Sequence, residues 1–283
     1  MSGGGWTVAV RHRTAYSYAG EVHSSYNEAR VTPLTTHAQE VLDAATAVEP
    51  AATVLRYWDY WGTLVDAFDV HQPHRALAVT ATSVVHTAAA EPPGPAGWDE
   101  VRAAVSAGGF AELLSPTSCV PEVPELVDEA GALASRSATP AVACEAAVAW
   151  VRDHLRYQAG ATDVTTTAAQ ALALGAGVCQ DFSHVTAGLL RAMGIPARYV
   201  SGYAFPSSGA EVGQDVAGEG HAWVEAWTGT WWALDPTHGA AVGAGHVVVG
   251  RGRDYADVPP LKGIYRGAPA DGLRVSVELA RRA

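Results

Sequence analysis

The stretch Glu91-Pro-Pro-Gly-Pro-Ala-Gly97 carries three prolines and two glycines in seven residues, and neither a helix nor a sheet ladder continues through such a run. It divides the chain, because the apolar pattern before it differs in kind from the pattern after it. Residues 6–18 alternate, Ala19-Gly20 reads as a turn, and 25–32 reads as a second strand ending at Pro33. Residues 51–58, 63–70 and 76–85 are rich in Val, Thr, Leu and aromatics, separated by Asp59-Tyr-Trp-Gly62 and His71-Gln-Pro-His74. Short strands at these intervals predict an all-β region over 1–90, an antiparallel sandwich or barrel.

Beyond a linker at 91–97 the period becomes helical, over 98–105, 124–134 and 140–157. In the last of these Ala141, Cys144, Val148, Val151 and Leu155 share a face. Pro140 suits a first turn and Thr139 a cap. Residues 157–167 read as a polar loop and 168–174 as a short helix. After Gly194-Ile-Pro196 strands are expected at 198–204, 221–227 and 231–235, the last two joined by a tight Thr228-Gly-Thr230 turn. Residues 207–220 read as a flexible acidic loop, and Leu273, Val275, Val277 and Leu279 alternate as a closing strand. The expected class is α+β, with a second domain over 98–283.

Several function classes are excluded by charge and composition. The net charge of −11 and the single lysine, Lys262, leave no basic cluster for nucleic acid or an anionic membrane. No run reaches the length of a membrane span, and residues 1–20 lack a basic segment followed by an apolar one. Three cysteines, Cys119, Cys144 and Cys179, match neither a disulfide framework nor a zinc site. The expected location is cytoplasmic, with no metal or other cofactor.

Chemistry concentrates at Gly175-Ala-Gly-Val-Cys-Gln-Asp-Phe-Ser-His184. Phe182, Val185, Thr186, Leu189, Leu190 and Met193 carry a helical spacing, so the glycine-rich turn delivers Cys179 to a helix start. Unpaired backbone N–H groups there are expected to lower a thiol's pKa, and the two glycines to supply backbone angles closed to other residues. His221 and Asp235 fall on the two arms of the expected hairpin, side by side. Cys179 as nucleophile, His221 as base and Asp235 as orienter make a complete acyl-transfer set. The N–H of Cys179 is one expected oxyanion donor, and Tyr157 or Gln180 is a candidate for the second. Tyr203 and Trp223 are candidate cleft walls. Cys144 and Cys119 are read as structural, His184 as a packing residue, and His238 as a surface residue or pocket wall.

Gly177-Val-Cys-Gln-Asp-Phe-Ser-His184, Gly220-His-Ala-Trp-Val-Glu225 and Leu234-Asp-Pro-Thr-His-Gly239 resemble the three blocks of the bacterial transglutaminase-like superfamily. Residues 165–175 resemble that family's approach to the cysteine. The strand-rich first part resembles the all-β region accompanying this core in bacteria, and 251–260 resembles its C-terminal segment. The resemblance implies a papain-like core, in which a helix bearing Cys packs on an antiparallel sheet, and gives Cys179, His221 and Asp235 the triad roles. His238 stands where many relatives carry Asn. Bacterial members include peptidases, amidases and cross-linking enzymes, often encoded near ATP-grasp proteins, which implies work on a peptide or amide product. Hydrolysis is the expected reaction, since water is the default acceptor and nothing resembles a lysine tunnel or a calcium site. Transamidation is the enzymatic alternative, and a silent peptide-binding module the non-enzymatic one. The expected partner is a peptide or protein substrate, with the β region as a positioning wall or the surface of a homodimer.

Overall fold

The computed structural model describes residues 5–88, 92, 96–206, 211–239 and 242–283. Most of the expected linker, and residues 207–210 of the expected acidic loop, lie outside the described residues. Five strands come first: β1 (Trp6–Ala29), β2 (Gln39–Glu49), β3 (Val54–Trp58), β4 (Leu64–Val70) and β5 (His74–Thr87). Helices α1 (Trp98–Ser106), α2 (Ala111–Leu114), α3 (Pro124–Arg136) and α4 (Pro140–His154) follow, then β6 (Arg156–Tyr157), α5 (Ala168–Leu174), β7 (Ala176–Gly177) and α6 (Cys179–Ala192). The chain continues through β8 (Ala197–Ala204), β9 (Asp215–Trp227), β10 (Trp231–Leu234), β11 (His246–Gly252), β12 (Leu261–Gly267) and β13 (Ala270–Arg281).

β1 is the spine of an 11-stranded sheet that takes strands from both sides of the Pro/Gly break. Its first half lies between β5 and β13, and its second half between β4 and β12. The turn expected at Ala19-Gly20 does not form. The chain stays extended and changes partners there, with register breaks between Ser17 and Val22 against β5 and between Val22 and Ser24 against β12. An irregularity of this kind bends and twists a strand without reversing it. β2 was not expected, because Ala44, Ala45 and Ala47 blur its alternation, and its pairing with β5 supplies what its own sequence lacks.

The expected acidic loop is half strand. Residues 215–220 belong to β9, whose first part pairs with β13 and whose second part pairs with β8 and β10. His221 is therefore in mid-strand rather than at a strand start, and Asp215 to Gly218 are held by backbone pairing to the closing strand. α4 is capped by Thr139, whose side chain accepts from the Val142 N–H. It ends at His154 rather than Tyr157, because Arg156 and Tyr157 leave the helix to pair in parallel with Ala176 and Gly177. That pairing brings Tyr157 beside the turn that precedes Cys179.

α6 is covered on most of its circumference, by α3, α4 and α5 on one side and by β8 and β9 on the other. Phe182, Val185, Leu189 and Leu190 are buried in one core with Ala143, Cys144, Ala147 and Val151 of α4. The small side chains of α4 allow close helix approach, and burying each of Leu189 and Leu190 contributes about 2 kcal/mol. A helix so enclosed has little freedom to tilt, so its first residue is held in place. No helix among the described residues is long and apolar enough to cross a membrane.

Candidate functional site

Gly175 ends α5 in the left-handed region, with φ of 64°, as expected for a glycine after a helix. Gly177 is required for another reason. A Cβ there would lie 2.5 Å from Oδ2 of Asp181, so it is close approach, not backbone angle, that calls for glycine. Oδ2 of Asp181 accepts from the Val178 N–H at 2.8 Å and from the Thr162 hydroxyl at 2.6 Å. The carboxylate thus ties the entry turn to the first turn of α6.

Cys179 is the first residue of α6 and is partly exposed. The backbone N–H groups of Gln180 and Ala222, the latter directly after His221 in β9, favour its thiolate form. Burial pushes the thiol up to about 11, and these two N–H groups only partly offset it. The expected lowering by the helix start is therefore outweighed. A thiolate here needs a cation close by, which makes proton transfer to a neighbouring imidazole the natural route to it. Cys179 and His221 line the same two cavities, of about 190 and 480 Å³.

Nε2 of His221 donates to Oδ2 of Asp235 at 2.8 Å, leaving Nδ1 for other partners. Asp235 is 1 % exposed and accepts far more than this one bond. Oδ2 also receives Nδ1 of His238 at 2.8 Å and Nε2 of His246 at 3.3 Å, while Oδ1 receives the N–H groups of Thr237 and His238. Burial alone would raise this carboxyl, but the three imidazoles outweigh it and hold it well below the usual carboxylate range. It stays an anion and an acceptor.

His246 is a site residue that sequence reasoning missed. Its Nδ1 accepts from the Gly243 N–H at 3.2 Å, so the proton resides on Nε2 and points at Asp235. His221, Asp235 and His246 bring one ligand atom each within 4.8 Å of one another, a spacing open to a metal ion. The Gly243 N–H favours the opposite tautomer of His246, with Nε2 as donor rather than ligand. His238, half-exposed, proves to be a direct partner of Asp235 and also lines the larger cavity.

The other expected residues divide. Tyr157 lines the larger cavity and Tyr203 the smaller. Gln180 lines the smaller one too, but its side-chain amide donates to the Val164 carbonyl. Trp223 is not a wall of this cleft. It is fully buried and lines a separate cavity farther along β9. Cys144 is fully buried on α4, and Cys119 is buried near Asp254; burial raises both thiols. His184 is enclosed, its Nε2 accepting from the Tyr255 N–H.

The strand-rich first part also reaches the site. His12 of β1 and Arg30, just past its end, line the 190 Å³ cavity. His12 bonds the Tyr203 hydroxyl at 2.8 Å, and Arg30 pairs with Glu28 and Asp59 at 3.1 Å each. No local pattern marks either residue, since only the long-range pairing of β1 brings them to Cys179.

Comparison with known proteins agrees with this architecture. The model of the transglutaminase-like superfamily matches residues 130–236, and that of the bacterial transglutaminase-like N-terminal region matches 8–86. An uncharacterized protein of Mycobacterium leprae is 44% identical over 279 residues, covering 98% of this chain and 100% of that protein. One from Mycobacterium tuberculosis is 34% identical over 289 residues, covering 95% of this chain and 91% of its own. The solved "Putative Cysteine Protease from Cytophaga hutchinsonii" superimposes with a TM-score of 0.80 at 23% identity, covering 99% of this chain and 92% of that one. At that identity the likeness shows the fold.

Proposed function

We propose, from the premise that the chain belongs to the transglutaminase-like superfamily, that it is a cysteine-dependent hydrolase of a peptide or amide bond. The observation that carries this reading is the 2.8 Å bond from His221 to a buried, permanently ionised Asp235, with His221 sharing both of its cavities with Cys179. Asp235 fixes the proton on Nε2 of His221, so Nδ1 is free to take the Cys179 proton as the sulfur attacks the acyl carbon. The carbonyl oxygen becomes the oxyanion, and the N–H of Cys179, at the helix start, is a donor for it. Collapse breaks the C–N bond, and His221 returns the proton to the departing amine. Water then adds to the thioester, its proton going to His221 and back to sulfur as the acid leaves.

Two cavities meeting at one sulfur suit an acyl group on one side and a leaving group on the other. The smaller has the charged Arg30 and the larger Glu219 in its lining, so a substrate meets both signs of charge. Both cavities open to solvent, which favours water over a shielded amine as the second acceptor. The test is incubation with a glutamine peptide and a labelled amine. Release of ammonia or free acid ahead of amine incorporation is expected. Incorporation outpacing hydrolysis would assign the chain to transamidation, and no turnover with an unmodified Cys179 would leave it a binding module.

A further inference from the structure

Successive odd-numbered residues of β9 lie on one face of the strand, and three of them are His221, Trp223 and Glu225. His221 faces the cleft, while Trp223 and Glu225 line another cavity of about 340 Å³ toward the β9–β10 hairpin. Glu225 receives two guanidinium groups there. Arg198 Nε donates to its Oε2 at 2.6 Å, and Arg251 donates Nε to Oε2 at 2.9 Å and Nη2 to Oε1 at 3.0 Å. Two cations share one buried anion, so the cavity wall carries one positive charge in excess, in a chain of net charge −11.

The two guanidinium groups keep free donors. Among the described residues neither Arg198 nor Arg251 uses its Nη1. The amide of Gln39, which also lines the cavity, is consumed by Leu34 and Val248. A guanidinium N–H left free in a cavity wall makes a charge-assisted bond to an entering anion, so a ligand supplying an acceptor is favoured. The Arg198 guanidinium lies 3.9 Å over the Trp231 ring, and together they make a flat cationic and aromatic wall. Such a wall, with its excess positive charge, suits a carboxylate carried on a flat apolar group, and a few hundred cubic ångströms is the size of small-molecule pockets.

His246 also lines this cavity, and its Nε2 bonds Asp235. We propose that the cavity is an effector site for a small organic anion bearing a flat apolar group, read by the Cys179 site through His246. The binding claim stands by itself; only the effect on Cys179 rests on the proposed acyl chemistry.

Benzoate is the probe, titrated into the full chain with tryptophan fluorescence as readout. Saturable binding is expected with a Kd of roughly 1 mM or tighter. Ala233→Phe fills the cavity and Arg251→Gln removes the excess charge, and each is expected to weaken binding about tenfold or more. Saturating benzoate is expected to change the rate of Cys179 alkylation by iodoacetamide about fivefold, and to leave it unchanged in Ala233→Phe. Absence of saturable binding, equal binding in both variants, or binding lost on alkylation of Cys179 overturns the site, the last by placing the anion in the cleft. An unchanged alkylation rate at saturation overturns the effector role. A Cys179 that iodoacetamide never modifies defeats the proposed catalysis, while the titration still decides the cavity.

Discussion

Asp235 reaches His221 from beyond the β-ladder: β10 ends at Leu234, paired with Val224, yet Oδ2 of Asp235 lies 2.8 Å from Nε2 of His221. The contact is diagonal, and it is fixed from the other side by the N–H groups of Thr237 and His238 on Oδ1. A carboxylate with five donors has no freedom to turn away from the imidazole. Asp235→Asn puts an amide N–H where a second acceptor oxygen is needed and so favours the wrong tautomer of His221. Turnover is expected to fall on the order of 10²- to 10⁴-fold with the circular dichroism spectrum retained. A loss below threefold would show that the pair does not orient the base.

Gly177→Ala tests the entry turn. The new methyl meets the Asp181 carboxylate at 2.5 Å, so either the cap on Val178 breaks or α6 shifts. Destabilisation of about 1–3 kcal/mol is expected, together with slower alkylation of Cys179. Denaturant titration measures the first and mass spectrometry the second. Wild-type stability in the variant would mean the turn yields freely.

Acid sensitivity should come from two histidines outside the chemistry. Burial lowers both His12 and His184 to about 4, against about 6.5 in an unfolded chain. The unfolded state therefore binds more protons between these values, and stability falls as pH drops from about 6.5 toward 4. The loss is roughly 2 kcal/mol per histidine by pH 5. Urea titrations at pH 7.5 and pH 5 measure it, and His12→Gln should flatten part of the slope. Equal midpoints at the two pH values would contradict the assignment.

The division into 1–90 and 98–283 is tested by expressing residues 96–283 alone. β12 and β13 find their partners on β1, and His12 of β1 and Arg30 just after it line the Cys179 cavity. The fragment is expected to lack a cooperative unfolding transition. A sharp thermal transition with native near-UV dichroism would show that the second part is a self-sufficient domain.

That fragment also marks how far the sequence could be read. Local signals were sufficient for α6, for the hairpin around Thr228-Gly-Thr230 and for the order of Cys179, His221 and Asp235, because caps, turns and periods lie within a few residues of one another. They failed for β2, whose alanines carry no clear period, and at Ala19-Gly20, where a bend and a turn use the same residues. They were silent on His246, which opens β11 after a glycine-rich segment without any motif, and on His12 and Arg30, which only long-range pairing brings to the cleft. The thiol pKa went the wrong way, because a helix start is visible in sequence and the burial that opposes it is not.

The pH dependence of Cys179 alkylation tests the central claim most directly. Burial, the largest of several influences, leaves this thiol at about 11, so an unassisted sulfur would be almost wholly protonated at pH 7. With His221 as proton acceptor, the wild-type rate is expected to hold a plateau below pH 8 and to exceed that of His221→Gln at pH 7 by about 100-fold or more. Profiles for wild type and His221→Gln that coincide and climb together only toward pH 11 would contradict it.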